Sequence, residues 1–117
     1  MQDNDCIFCK LANKEIPTEM VYEDERCAAF KDTSPQTPVH VLVVPKEHYS
    51  SIADDVPTDL KGHLFDVAVK VAEIMDIKES GFRLIINTGD HASQTVKHMH
   101  IHVCGGKQMP EGMFPEE

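Results

Sequence analysis

The chain has no tryptophan, few basic residues and no long apolar run. The missing tryptophan matters little, because 41% hydrophobic and 26% charged residues make an ordinary globular composition and exclude a disordered one. Lysine and arginine together number 11 against 20 acidic residues, for a formal net charge of −9. With no Lys/Arg cluster to offset that balance, a polyanion such as duplex DNA is repelled, and nucleic acid is excluded as a partner. A small phosphate ester is still admitted, since backbone N–H groups bind one without net positive charge. No stretch approaches the roughly 20 apolar residues of a membrane span, so no membrane is expected. The start, Met1-Gln2-Asp3-Asn4-Asp5, is polar and acidic, unlike a secretory leader, and a cytoplasmic location is the expectation. Neither repeats nor low-complexity segments occur, and 117 residues suit one domain spanning 1–117, long enough for a sizeable core.

What is present sorts into short elements. Cys6 to Asn13 reads as a short helix stopped by Pro17. Met20 to Tyr22 and Cys27 to Phe30 read as a hairpin around the charged turn Glu23-Asp24-Glu25-Arg26. Val39 to Val44, apolar and β-branched but for His40, reads as a buried central strand. Thr58 is the expected N-cap of a long helix. Its apolar stripe runs through Leu60, Leu64, Val67, Ala68, Val71, Ile74 and Met75. Gly81 to Asn87 and Lys97 to Val103 complete the strands, with a polar loop between them. Strands segregated around one long helix favour an α+β fold.

The most informative stretch is His98-Met99-His100-Ile101-His102. On a strand, alternate side chains point to opposite faces, so the imidazoles share one face while Met99, Ile101 and Val103 enter the core. On a helix, successive members would lie about 200° apart. Three readings stand at this point: tolerated surface histidines, a metal site built on His-x-His spacing, and catalysis by a neutral imidazole supported by others.

The motif His98-Met99-His100-Ile101-His102-Val103-Cys104 resembles the histidine triad (HIT) signature, in which three histidines alternate with apolar residues. The resemblance extends over Cys6 to Met109. It includes Asn13-Lys14-Glu15-Ile16-Pro17, Ala29-Phe30-Lys31-Asp32, Ser34-Pro35-Gln36, Pro38 to His48 and Gly105-Gly106-Lys107-Gln108-Met109. It is most similar to the Hint-like branch, the nucleoside phosphoramidate hydrolases. The resemblance implies a HIT-like α+β fold: an antiparallel sheet of about five strands, one long helix and a short N-terminal helix. It also implies a homodimer in which strands of two protomers continue one sheet.

For the site, the resemblance implies that His100 attacks the phosphorus of a purine nucleotide. His40 and His102 then hold its tautomer and orientation. Asn87, Thr95 and the backbone N–H groups of Gln94 to Val96 are expected at the phosphate. Asp32 would accept from the ribose hydroxyls, although as the start of Asp-Thr-Ser-Pro it is also an ordinary turn residue. Phe8, Leu11 and Phe30 fall where the family walls its base pocket, and each also suits a plain core. Ser93 departs from the glycine that many Hint members carry before the glutamine, which reduces backbone freedom in the phosphate loop.

Cys6-Ile7-Phe8-Cys9 is a Cys-x-x-Cys pair. No buried strand precedes it and no proline or glycine lies between the cysteines, so a thioredoxin-like redox role is not expected. The resemblance implies a structural zinc completed by His48 and His98; the alternative is a pair of buried free thiols. Cys27 and Cys104, among apolar neighbours, read as core. His63 and His91 read as solvated. Two rival functions are a dinucleoside polyphosphate hydrolase and a non-catalytic nucleotide-binding regulator.

Overall fold

The computed structural model describes residues 6–113; the acidic segment Met1–Asp5 lies outside the described residues. The central strand is β3, Val39–Pro45, and alternation along it divides the molecule in two. Val41 and Val43 join a cluster with Leu60, Leu64, Val67 and Val71 of the long helix α2, Thr58–Ile74. Leu42 and Val44 join a second cluster on the other face, with Cys6, Phe8 and Cys9 at the short helix α1, Ile7–Ala12. Each face of the sheet thus has its own helix, and the chemistry-bearing side chains lie on the α1 face.

Around β3 the antiparallel sheet has the order β1-β2-β3-β5-β4. Its other strands are β1 (Met20–Glu23), β2 (Cys27–Lys31), β4 (Phe82–Ile85) and β5 (Ile101–Gly105). This five-stranded α+β architecture is the expected one, with β3 in the middle. In the register, Leu42 faces His102 and His40 faces Cys104, so His40 and His102 are diagonal neighbours on one face. Cys27 and Cys104 are buried, as expected for core thiols. Gly105 is tightly enclosed: a Cβ there would lie 2.8 Å from Ile77 Cδ1, 3.2 Å from the Gly81 carbonyl oxygen and 3.3 Å from Ile77 Cβ.

Several boundaries differ from the sequence expectation. The last strand starts at Ile101, not Lys97. The β3–β5 ladder ends at Val43 opposite Ile101, and Pro45, the next β3 residue on that side, has no N–H to extend it. The Pro45 carbonyl accepts instead from His98 Nε2 at 2.8 Å, while the Met99 amide donates to the Tyr49 carbonyl at 2.7 Å. The in–out alternation nevertheless holds through this stretch: Met99 packs with the α2 cluster, and His98 and His100 lie against Phe8. Strand β4 is shorter than expected because its pairing with β5 ends at Ile85 opposite His102.

Thr58 is the first helical residue rather than the cap; Pro57 takes the cap position, with no side-chain capping bond. Ile74 sits at the end of α2 and is exposed, outside the buried stripe. Helix α1 stops well before Pro17. Asn13 caps it through Nδ2 bonds to the Cys9 and Lys46 carbonyls (2.8 and 3.1 Å), and Lys14 turns the chain at φ 64°. His63 is not simply solvated: its Nε2 meets Asp24 Oδ2 at 2.7 Å, fastening α2 to the β1–β2 turn.

Candidate active site

On the α1 face a hollow of about 600 Å³ opens, within the usual range for a small-molecule site. Phe8 and Leu11 of α1 and Phe30 of β2 form its apolar wall. Asp32, Thr95 and Val96 line its polar rim, and His40, His100 and His102 its floor. Nine of the expected site residues therefore come together. Asn87 and Gln94 do not line the hollow.

The proton positions on the three floor imidazoles follow from their partners. The Gln36 amide donates to His40 Nδ1 at 3.0 Å, so in the neutral ring the proton is on His40 Nε2. That Nε2–H faces His102 Nδ1 at 2.8 Å, and Asp32 Oδ2 lies 3.5 Å from the same nitrogen. His102 Nδ1 therefore accepts, which leaves the His102 proton on Nε2. His100 Nδ1 donates to the His98 carbonyl at 2.6 Å, so its Nε2 carries the lone pair.

Burial pulls the His102 pKa down to about 4; the neighbouring His100 and His40 add to this and Asp32 opposes it. Burial likewise lowers His100, against the opposing His98 carbonyl and Asp32 carboxylate. Both rings are thus neutral near pH 7. Phe8 stands edge-on to His100 with centroids 4.9 Å apart, fixing the plane of that ring. Neither the Gln36 amide nor the His98 carbonyl was visible in the sequence as a partner, because backbone groups carry no residue signature. Asp32 also accepts from the Ser34 amide at 2.8 Å, so it is a turn residue and a site residue at once.

The loop that closes one side follows a 3₁₀ turn, Asp90–Ala92, and Ser93 then takes the left-handed conformation at φ 61°, ψ 41°. Serine tolerates this less well than glycine, at a cost of about 1 kcal/mol. The loop therefore keeps the geometry that glycine would make easy. Gln94 is buried behind it. Its amide donates to the Gly89 carbonyl, so this N–H is not free for a phosphate as the sequence reading had it. Thr95 and Val96 remain at the hollow, and among the described residues no acceptor is found for their amides.

Behind the hollow, Cys6, Cys9, His48 and His98 bring one ligand atom each within 4.8 Å of one another. His98 Nδ1 lies 3.1 Å from Cys6 Sγ, 3.3 Å from Cys9 Sγ and 3.2 Å from His48 Nδ1, and Cys9 Sγ lies 3.4 Å from His48 Nδ1. A tetrahedral ion with bonds of about 2.0–2.3 Å separates its donors by about 3.3–3.8 Å, close to these spacings. His98 Nε2 donates to the Pro45 carbonyl, which turns the lone pair of Nδ1 toward the sulfurs. The Cys9 amide donates to Cys6 Sγ at 3.2 Å, which fixes that sulfur at the N-terminus of α1. The four residues can hold a metal ion, and all four positions would be protein.

Residues 13–109 match the family model described as the HIT domain. An uncharacterized HIT-like protein of Synechocystis sp. is 47% identical over 105 residues, covering 88% of this chain and 91% of its own. A histidine triad protein from Clostridium difficile superposes with a TM-score of 0.91 at 46% identity, covering 96% of this chain and 99% of that one. A HIT family hydrolase from Legionella pneumophila gives a TM-score of 0.87 at 38% identity, over 92% of this chain and 97% of that one.

Proposed function

The chain belongs to the HIT domain family, and on that premise we propose that it hydrolyses nucleotides, cleaving the phosphorus–nitrogen bond of purine nucleoside 5′-phosphoramidates. The carrying observation is His100: a neutral imidazole whose Nδ1–H is spent on a carbonyl and whose Nε2 lone pair belongs to a ring lining the hollow. The similarity to a HIT family hydrolase supports a hydrolase of this kind.

In the proposed reaction His100 Nε2 attacks the α-phosphorus, and the bond from phosphorus to the amine nitrogen breaks. The amine leaves with a proton drawn from solvent, which the Thr95 hydroxyl or the His102 ring passes on while taking up another, since neither gives up its own proton outright near pH 7. Water then attacks the nucleotidyl-imidazole, releasing the nucleoside monophosphate and restoring His100. The amides of Thr95 and Val96 are placed to meet charge growing on the phosphoryl oxygens. Phe8, Leu11 and Phe30 offer an apolar slot for the base, and Asp32 an acceptor for the ribose.

One observation favours a single phosphate over a polyphosphate chain. Among the described residues Lys31 is the only lysine or arginine lining the hollow, and it is paired with Glu19 at 2.7 Å. A polyphosphate would bring several negative charges to a protein of net charge −9 with little to neutralise them.

We further take the Cys6–Cys9–His48–His98 centre as a structural zinc site, in which the ion would tie α1 to the segment before β5 with no open position. The reading also includes a homodimer formed by sheet continuation, for which β4 is an edge strand with Ile85 exposed. Among the described residues no helix is long and apolar enough to cross a membrane. Hydrolysis of an adenosine 5′-phosphoramidate by wild type and by His100→Ala tests the assignment. Loss of at least about 10³-fold in turnover is expected for the variant, with binding of AMP retained; equal rates would contradict it.

A further inference from the structure

Three consecutive residues behind the hollow each tie down a different part of the site. His48 Nδ1 reaches His98 and Cys9 in the metal centre. The Tyr49 carbonyl accepts from the Met99 amide, in the middle of the histidine segment. The Ser50 carbonyl accepts from Gln94 Nε2 at 2.7 Å. The strap 48–50 is therefore the common support of the metal centre, the histidines and the phosphate loop.

Gln94 is the side chain that connects the loop to that support. It is 5% exposed, and every polar atom of its amide group is used. Nε2 donates to the Ser50 and Val96 carbonyls at 2.7 and 3.1 Å, and Oε1 accepts from the Gly89 amide at 2.9 Å. The Gln94 backbone N–H returns a bond to the Gly89 carbonyl at 3.0 Å. A doubly hydrogen-bonded pair, Gly89 and Gln94, thus closes the base of the loop. The bond to the Val96 carbonyl fixes the peptide unit just beyond the amides of Thr95 and Val96, two residues that line the hollow. Both Nε2 hydrogens are spent on protein carbonyls, so this buried side chain has no donor left for a phosphate.

We propose that Gln94 is a positioning residue for phosphate: it makes no contact with the ligand, and it aims the Thr95 and Val96 amides by anchoring their loop to the strap 48–50. This rests on the nucleotide reading only for the identity of the ligand. A fixed pair of amides binds a phosphoryl group without paying to order the loop, whereas the apolar wall that meets the base belongs to α1 and β2. Loosening the loop should therefore weaken the grip on phosphate and leave the nucleoside end untouched.

The test compares adenosine, AMP and inorganic phosphate, by calorimetry or NMR titration, on wild type and Gln94→Met, which keeps the buried volume but makes none of the three side-chain bonds. The expected result is a loss of about tenfold in affinity for AMP and for phosphate, the worth of about one charge-assisted hydrogen bond, with adenosine within about twofold. KM should rise more than kcat falls. Equal losses for adenosine and AMP would make Gln94 a general structural residue and overturn the assignment. Unchanged AMP affinity with a collapsed kcat would make it a transition-state contact and overturn it too. Should Gln94→Met fail to fold, Gln94→Glu keeps the shape while turning an acceptor oxygen on the two carbonyls, and the same split is expected. If wild type binds inorganic phosphate but not adenosine, the nucleotide reading falls, while the phosphate comparison between wild type and variant still decides the role of Gln94.

Discussion

A single carboxylate shows how far side-chain chemistry was legible. Asp24 sits in the charged turn that the sequence marks plainly, yet its partners come from elsewhere. Burial alone would raise its pKa; hydrogen bonds from the Arg26 amide, His63, the Cys27 amide and Tyr22 outweigh it and hold the group at about 2. A carboxyl with a folded pKa below its unfolded value of about 3.9 stabilises the fold above that value and loses the contribution as pH falls through about 2. Asp24 is still partly open to solvent, which screens the pairing, so about 1 kcal/mol is expected. Urea unfolding of wild type and Asp24→Asn should show that gap at neutral pH and its closure on acidification; a gap independent of pH would contradict the account. The Asp24–His63 pair spans 39 residues, and no local pattern announces it. The three histidines at 98, 100 and 102 were legible because alternation is local. Gln94 was misplaced for the opposite reason: a glutamine in a polar loop has no periodicity to say which way it points.

At the scale of elements, what succeeded and what failed both trace to pairing. The stripe on α2 and the continuous apolar run of β3 specify their own burial, so both elements and their partners were readable. Strand ends were not, because they depend on the neighbour: β5 starts where Pro45 can no longer donate, four residues later than the apolar alternation suggests. Helix α1 is the least self-sufficient element. Six residues are far too few for a stable isolated helix. It carries Phe8 and Leu11 into the hollow and is fixed from behind by Cys6 and Cys9. Cys6→Ser should therefore cost several degrees in thermal midpoint and should abolish bound zinc, measured by elemental analysis against about one ion per chain in wild type. An unchanged midpoint together with no zinc in wild type would leave the four residues as a hydrogen-bonded cluster only.

For the molecule as a whole, the sheet keeps structure and chemistry on opposite faces. The α2 face holds most of the aliphatic core; the α1 face holds the hollow, the imidazoles and the metal-ligand cluster. Composition narrows the kind of ligand, since an acidic chain without a basic patch suits a small phosphate ester held by backbone amides and neutral rings better than a polyanion. It could not foretell the hollow itself, which three helix- and strand-borne walls and a loop define together. The account turns on one bond, between phosphorus and the Nε2 atom of His100. Rapid quenching into alkaline denaturant during turnover of an adenosine phosphoramidate, where a phosphorus–imidazole bond survives, followed by peptide mass analysis at high pH, reads that bond directly. An adenylyl group on the peptide containing His100, chased away on further incubation, is the predicted result. Turnover at full rate with the label absent from His100, or found on another residue, would contradict it.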